Sequence, residues 1–168
     1  MPKIIKDLES RLVEEAQRQI AESGYSAMTI RSIAKACNIA VGTVYNYFPS
    51  KEDLIAAHLL QDWRTCNDAI AAVAAEATAP LPVLVCMHRQ LTDFSARYAS
   101  LFRDKAAVAG FAVSFRQYHR ILSNQLAQHL LRFCDSDFTA EFAAESLLAW
   151  TFEGKSFQEF CPLLEKLF

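Results

Sequence analysis

The sequence predicts an all-α protein of about nine helices, with three compact helices at the N-terminus followed by a C-terminal helical bundle. Only 4 Gly and 5 Pro occur in 168 residues, whereas sandwiches and barrels need a turn signal roughly every 8 to 12 residues. Apolar residues make up 52% of the chain and charged residues 21%, which supplies a packed core and gives no case for disorder. Apolar positions also recur at helical spacing along the chain.

The first 50 residues predict three short helices. An apolar stripe at steps of three and four residues marks the first helix: Ile5, Leu8, Leu12, Ala16 and Ile20. Gly24 supplies the left-handed turn that ends this helix. Thr29 is a good N-cap for the second helix, and Asn38 suits a left-handed position at its end. The third helix is predicted from Ala40 to Tyr47, where Pro49 closes it.

Longer helices are predicted after Ser50, which caps the fourth helix with Asp53 three residues on. The predicted spans are residues 50–78, a fifth helix that begins after the Pro80-Leu81-Pro82 segment and runs to about residue 100, then 101–108, 110–134, 138–153 and 156–168, with the last two divided at Gly154. The change in helix length at residue 50 therefore predicts a small N-terminal module, residues 1–49, and a bundle, residues 50–168.

The formal charges sum to −2 with a pI near 6.1, so the chain is not a polycation and any basic surface must be local. The five cysteines are widely spaced and form no CxxC motif, and no His or Cys lies at zinc-ligand spacing. Glycine-rich phosphate loops, HExxH and GxSxG are absent from the sequence. We therefore expect no metal, no cofactor and no enzymatic activity.

The most apolar segment, from Ala69 to Met87, contains Glu76 and Pro80, so it is a poor candidate for a membrane span. The N-terminus becomes charged within a few residues and lacks the apolar core of a signal peptide. We expect a cytoplasmic protein that does not associate with a membrane.

Residues 28–48 predict two short helices joined by a tight turn, which is the helix-turn-helix arrangement. In this arrangement the second helix lies in the DNA major groove, so it must be short and polar on its outer side. The segment between Tyr25 and Lys51 contains Arg31, Lys35 and Lys51 but no Asp or Glu. A local +3 charge in a chain of net charge −2 favours a surface that faces phosphates.

The segment from Thr29 to Leu54, with the run TVYNYFPSKEDL at residues 43–54, resembles the DNA-binding domain of the TetR family of bacterial transcriptional regulators. The resemblance covers roughly the first third of the chain. It implies a homodimeric repressor that binds a near-palindromic operator through its N-terminal helix-turn-helix. It also implies that the C-terminal bundle holds a small-molecule inducer and the dimer interface.

The resemblance also implies roles for individual residues. Those expected to contact DNA phosphates are Thr29, Arg31, Tyr47 and Lys51. Those expected to face the bases are Val41, Gly42, Thr43, Tyr45 and Asn46. The chain departs from the family at Ala40, where a Ser N-cap is common, and at Val41, which is often polar or basic. Val41 lies three residues before Val44 and is equally compatible with a core position.

The bundle is rich in large apolar side chains with scattered polar ones, which is typical of ligand cavities between helices. The candidate lining residues are His58, Trp63, Cys66, Met87, Phe94, Tyr98, Phe102, Phe111, Phe115, Tyr118 and His119. The embedded charges are few, so the expected inducer is apolar or aromatic. Aromatic side chains at helical spacing are also common in simple packing, and that alternative stays open for each of these residues.

The last two helices carry more apolar surface than one intrachain face can cover, which favours a dimer interface related by a two-fold axis. The candidate interface residues are Phe142, Leu148, Trp150, Phe152, Phe157, Phe160, Leu164 and Leu167. The alternative is burial against other helices of the same chain. A second functional alternative is a helical interaction protein that keeps this fold without specific DNA binding, as the residues at positions 40 and 41 would allow.

Overall fold

The computed structural model describes residues 7–168, and for residues 112–116 it describes the backbone alone. The described residues form nine α-helices and no strand, which confirms the predicted all-α class and helix number. The helices are α1 (Leu8–Ser23), α2 (Ile30–Ala36), α3 (Val41–Tyr47), α4 (Lys51–Glu76), α5 (Pro80–Arg97), α6 (Ala99–Arg103), α7 (Lys105–Leu130), α8 (Asp137–Phe152) and α9 (Phe157–Leu164). Short 3₁₀ turns follow α7 at Leu131–Phe133 and α9 at Glu165–Leu167. Ile5, predicted in the first helix, lies outside the described residues.

Packing divides the chain into two compact units. Within the described residues, the first unit comprises residues 7–62 and 98–112, and the second comprises residues 63–97 and 113–168. The helices α4 and α7 therefore each contribute residues to both units. The sequence predicts a functional division between residues 49 and 50, which separates DNA binding from ligand binding and dimerisation. Packing does not test that division, so it stays a prediction.

The core of the first unit is built from the apolar faces that the helical spacing predicted. Leu8 and Leu12 of α1, Ile33 of α2 and Val44 of α3 are completely buried, and Phe48 is nearly so. Each such side chain stabilises the fold by roughly 1.5 to 3 kcal/mol through its removal from water. Helix α2 packs on α3, so these buried side chains hold the two helices of the predicted helix-turn-helix together.

Several predicted helix boundaries are wrong. Helix α5 begins at Pro80 and not after Pro82, because proline is tolerated in the first turn of a helix. The sixth helix is a single short segment from Ala99 to Arg103, and α7 begins at Lys105 and continues through Gly110 without a break. The carboxylate of Asp104 accepts hydrogen bonds from the backbone N–H groups of Ala106 and Ala107, at 2.9 and 3.1 Å. This cap starts α7 upstream of the glycine, and a single Gly inside a helix costs only about 1 kcal/mol relative to Ala.

In the second unit, two polar pairs one turn apart join α4 to α7. The indole Nε1 of Trp63 donates to Oε1 of Gln125 at 2.5 Å. The ring Nε2 of His129 lies 3.0 Å from Oδ1 of Asn67 and acts as the donor there. Helix α5 packs on α8, and Gly154, with φ of 79°, makes the turn between α8 and α9 as the sequence predicts.

Candidate nucleic-acid interface

The start of α2 is fixed by a reciprocal capping box. Thr29 Oγ1 accepts from the backbone N–H of Ser32 at 3.0 Å, and Ser32 Oγ accepts from the backbone N–H of Thr29 at the same distance. Ser32 Oγ also lies 2.6 Å from Oε1 of Gln19, whose amide nitrogen donates to Glu15 on the preceding turn of α1. The predicted N-cap is thus confirmed, and α1 supports it through a contact that local sequence does not reveal.

The turn between α2 and α3 is held by a left-handed residue and by a cation from α1. Asn38 has φ of 54°, which confirms the predicted conformation and suits asparagine better than most residues. Arg11 donates to the carbonyl of Cys37 at 3.2 Å, where its charge offsets the negative end of α2. Sequence reasoning missed Arg11, because this contact joins residues 26 positions apart.

Helix α3 begins without a side-chain cap, since Ala40 supplies only its carbonyl, which accepts from the backbone N–H of Thr43 at 2.9 Å. Val44 faces inward and is completely buried. Gly42, Tyr45 and Asn46 are exposed, with half of the Tyr45 surface open to solvent. The remaining two predicted base-reading residues, Val41 and Thr43, are partly exposed.

The four residues predicted to contact phosphate fall into two groups. Thr29 and Arg31 are exposed at the start of α2. Tyr47 is partly exposed, but its hydroxyl oxygen is buried and has no hydrogen-bond partner among the residues that the structure describes. Lys51 is half-buried, and its ammonium donates to the carbonyl of Tyr25 and lies 3.7 Å from the centre of the Tyr25 ring.

The surroundings of Lys51 are more acidic than the sequence indicates. The hydroxyl of Tyr25 donates to Oε1 of Glu52 at 2.6 Å, and burial together with this bond raises the pKa of Tyr25. Burial lowers the pKa of Lys51, while the charges of Glu52 and Asp104 oppose that change. The window without carboxylates in the sequence is therefore flanked in space by two carboxylates, one of them from the α6–α7 corner.

The predicted pocket residues are divided between the two compact units. Those in the first unit are His58, Tyr98, Phe102 and Phe111, and those in the second are Trp63, Cys66, Met87, Phe94, Tyr118 and His119. The side chain of Phe115 lies outside the described residues. In the first unit the Tyr98 hydroxyl donates to Asp62 at 2.8 Å and lies 2.9 Å from Nε2 of the buried His58.

In the second unit, Trp63, Cys66, Met87 and Phe94 are buried. His119 is partly exposed and lies 2.8 Å from the carboxylate of Glu145. A shallow groove of about 550 Å³ also occurs in this unit, lined by Ala72, Val73, Glu76, Ala77, Thr78 and Pro82. None of the predicted pocket residues belongs to that lining.

The predicted interface residues differ in exposure. Phe142 and Trp150 are 51% and 47% exposed, and Phe152, Phe157 and Leu167 are partly exposed. Leu148, Phe160 and Leu164 are buried within the chain itself, so the intrachain alternative describes these three. The prediction omitted Phe138 and Leu163, which are 73% and 65% exposed.

Among residues 7–168, side chains of 112–116 excepted, no group of three or more His, Cys, Asp or Glu is arranged to hold a metal ion. Within the same part of the chain, no helix combines the length and apolarity that crossing a membrane requires.

Comparison with known sequences places the helix-turn-helix in a known group. Residues 12–58 match the family model described as bacterial regulatory proteins, tetR family. The regulator UidR of Escherichia coli K12 is 40% identical over 53 residues, which cover 32% of this chain and 27% of UidR. The repressor KstR of Rhodococcus jostii is 33% identical over 58 residues, covering 34% of this chain and 27% of KstR. The matched segments thus span about a quarter of each relative.

Solved structures extend the similarity to the rest of the fold. Thermus thermophilus FadR, a TetR-family repressor solved with lauroyl-CoA, has a TM-score of 0.66 at 21% identity, over 95% of this chain and 92% of FadR. RolR solved with resorcinol has a TM-score of 0.64 at 23% identity, over 94% of this chain and 85% of RolR. The N-terminal segment at residues 12–58 therefore matches the tetR family of bacterial regulatory proteins, and the rest of the chain shares the all-α fold of the solved regulators.

Proposed function

We propose that this chain is a DNA-binding transcriptional repressor that acts as a homodimer and is released from DNA by a small molecule. The observation that carries the proposal is the α2–turn–α3 unit, which is capped at Thr29 and buried at Val44. It leaves Gly42, Tyr45 and Asn46 facing outward. Residues 1–49 would form the DNA-binding domain and residues 50–168 the ligand-binding and dimerisation bundle.

Each outward group of the unit has a matching chemistry on DNA. Thr29, Arg31 and Lys51 would contact phosphates, which sets position without reading sequence. Tyr47 would join them once its side chain turns the buried hydroxyl outward. Asn46 can pair with adenine through two hydrogen bonds, and Tyr45 or Val41 can pack on a thymine methyl group. Gly42 lets the helix backbone approach the bases, and Thr43 can donate to a base or a phosphate.

A homodimer would place two copies of α3 in successive major grooves, about 34 to 36 Å apart on a near-palindromic operator. The exposed aromatic side chains of α8, Phe138, Phe142 and Trp150, support an interface there, because large apolar groups left in water favour burial by a partner. Leu163 on α9 adds to this surface.

The proposed ligand is apolar or aromatic. The predicted pocket residues are mostly aromatic or apolar. Two proteins of similar fold bind lauroyl-CoA and resorcinol, which contain an acyl chain and an aromatic ring. Helix α4 contributes to both compact units and carries Lys51 at its first position. A ligand that favours one position of α4 would change the spacing of the two α3 helices and so lower affinity for the operator.

The deciding experiment is fluorescence anisotropy with the purified protein, its own upstream DNA and a scrambled duplex of equal length, at two salt concentrations. Saturable binding to the upstream DNA that weakens steeply with salt is expected, because phosphate contacts release counterions. Asn46→Ala should reduce the preference for the upstream DNA, while Asn124→Ala, an exposed asparagine of α7, should not. Equal binding by all three proteins to both duplexes would contradict operator reading.

Release by ligand is tested separately with fatty acyl and phenolic compounds as probes. A compound that raises the melting temperature of the protein should also raise its Kd for the operator. Spin labels on the two copies of α3 should then report a changed distance by double electron–electron resonance. A distance that stays constant while the compound is bound would contradict the proposed mechanism.

The second candidate is a helical interaction protein without specific DNA binding. It is favoured by Ala40, which gives α3 no side-chain cap. Absence of binding to any duplex, even at low salt, would support this candidate, because a regulator binds DNA non-specifically through phosphate contacts under those conditions.

A further inference from the structure

Four residues in the first unit form a connected group: Tyr25, Lys51, Glu52 and Gly110. Tyr25 lies in the connection after α1, Lys51 and Glu52 begin α4, and Gly110 lies in the second turn of α7. The ring and carbonyl of Tyr25 hold the Lys51 ammonium. The hydroxyl of Tyr25 donates to Glu52 at 2.6 Å. Tyr25 itself is 95% buried, since only 5% of its surface is exposed.

Gly110 leaves room for this group, and any larger residue at that position would contact it tightly. A Cβ at that position would lie 3.2 Å from Oε1 of Glu52 and 3.3 Å from the hydroxyl of Tyr25. Those are the two atoms that form the Tyr25–Glu52 hydrogen bond, and both are closer to the added carbon than ordinary van der Waals contact, so the two side chains would have to shift to admit it. The next residue, Phe111, packs its ring 6.1 Å from the Tyr25 ring. Helix α7 therefore fits closely against Tyr25.

A second link joins the same elements. Ser26 Oγ donates to Oδ2 of Asp104 at 3.1 Å, and Asp104 caps the start of α7. The backbone N–H of Ala107, together with Ser26 and the charge of Lys51, lowers the pKa of Asp104. The connection after α1 is thus fixed to the first part of α7 by two adjacent residues, Tyr25 and Ser26.

We propose that Tyr25 and Gly110 are positioning residues that hold Lys51 ready to contact a DNA phosphate. This inference rests on the proposed function. A lysine side chain that is free in solution loses rotamer freedom when it binds, and anchoring it beforehand removes that cost from the binding step. The ammonium has three donors, and the half-buried side chain keeps access to solvent while one donor is used by the Tyr25 carbonyl.

The central experiment is a double-mutant cycle with Gly110→Ala and Lys51→Ala, measured as Kd for DNA across a salt series. Gly110→Ala should weaken binding to upstream and scrambled DNA alike, by up to about tenfold, because the added methyl group displaces the Tyr25 hydroxyl and the Glu52 carboxylate and so loosens Lys51. Its salt slope should fall by about the value for one phosphate contact per subunit. In the Lys51→Ala background, Gly110→Ala should have little further effect.

Three further variants give the experiment its controls. Val108→Ala changes an exposed side chain of the same helix and should leave both Kd and slope unchanged. Glu52→Gln keeps an oxygen acceptor for Tyr25 and should bind within a few-fold of the wild type. Tyr25→Phe removes the hydroxyl alone and should weaken binding less than Gly110→Ala does. If circular dichroism shows that Gly110→Ala does not fold, Tyr25→Phe replaces it in the double-mutant cycle with Lys51→Ala. Tyr25→Phe should then weaken DNA binding in the wild-type background and have little effect in the Lys51→Ala background, and equal effects in both would overturn the positioning role.

The outcomes separate this inference from the proposed function. Wild-type protein that binds no DNA contradicts the proposed function itself. Wild-type binding with unchanged Kd and salt slope in Gly110→Ala overturns the positioning role. Equal weakening by Gly110→Ala with and without Lys51 also overturns it, because the effect would then not pass through the lysine.

Discussion

The outward faces of α3 and α8 are both exposed, yet their chemistry is opposite. Helix α3 presents Tyr45 and Asn46, whose polar groups water can hydrate, whereas α8 presents the aromatic rings of Phe138 and Phe142. Exposed apolar surface costs roughly 25 cal/mol for each Å² left in water. The α3 face therefore suits a polar partner that binds reversibly. The α8 face suits a stable interface, such as one with a second copy of the chain.

The largest expected effect comes from placing a charge on the α8 face. Phe142→Glu should turn the proposed dimer into a monomer, because burying an unpaired carboxylate in an apolar interface is strongly unfavourable. Operator affinity should then fall by about 100-fold or more, since linked binding of two modules is worth 10²- to 10⁴-fold. Analytical ultracentrifugation and anisotropy measure the two changes.

The control for that change is Val108→Glu, which places the same charge on an exposed aliphatic residue of α7. It should leave the dimer intact. A Phe142→Glu protein that remains dimeric at micromolar concentration would show that α8 does not form the interface.

The next effect concerns base reading by α3. Asn46→Ala should reduce discrimination between operator and scrambled DNA by about 1 to 3 kcal/mol, the usual value of one good pair of hydrogen bonds to a base. The salt slope should stay constant because no phosphate contact is lost. A fall in slope without a loss of discrimination would assign Asn46 to phosphate contact instead.

The two helix caps allow a matched comparison. Thr29 caps α2 and Ser136 caps α8, through acceptance from Ser32 N–H at 3.0 Å and from Thr139 N–H at 3.2 Å. Thr29→Ala and Ser136→Ala should each lower the free energy of unfolding by about 1 kcal/mol, measured by urea denaturation. Only Thr29→Ala should also weaken DNA binding, because that cap lies in the helix-turn-helix and Thr29 is itself proposed to contact a phosphate. Equal loss of DNA binding in both variants would indicate a general effect of stability.

The smallest expected effect is a pH dependence in the second unit. Burial lowers the pKa of His129 below the ordinary value of 6.5, so the unfolded chain takes up its proton first as the pH falls. Stability from this group is complete above about pH 6.5 and decreases as the pH falls from there through the folded pKa. Urea denaturation between about pH 7.5 and 5 should show this loss, and His129→Gln should reduce it. An unchanged pH dependence in that variant would exclude His129 as its source.

Local features of the candidate site could be predicted from the sequence. The caps at Thr29 and Ser50 and the left-handed Asn38 were predicted correctly, because each depends on groups within three or four residues. The start of α7 at Lys105 was not predicted. Glycine is typical of a helix end, so the sequence favours a break at Gly110, whereas the cap at Asp104 is clear only in the structure. The roles of individual residues in DNA binding, ligand binding and dimerisation stay predictions.

Contacts between distant segments could not be predicted in this way. The sequence shows no carboxylate between Tyr25 and Lys51, but the fold brings Asp104 near Lys51, and Gly110 against Tyr25 and Glu52. Arg11 reaches the end of α2 in the same manner. No periodicity or motif records such pairs, because they join elements that are separated by 26 residues or more.

The sequence by itself determined the helical class, the position of the helix-turn-helix and most helix ends, because spacing, caps and turns act over a few residues. Tertiary structure decided which apolar residues are covered within the chain and which remain exposed, as Leu148 and Phe142 of the same helix show. It also decided that Lys51 is anchored on Tyr25. Both outcomes depend on which helices meet, and that follows from the packing of the whole chain.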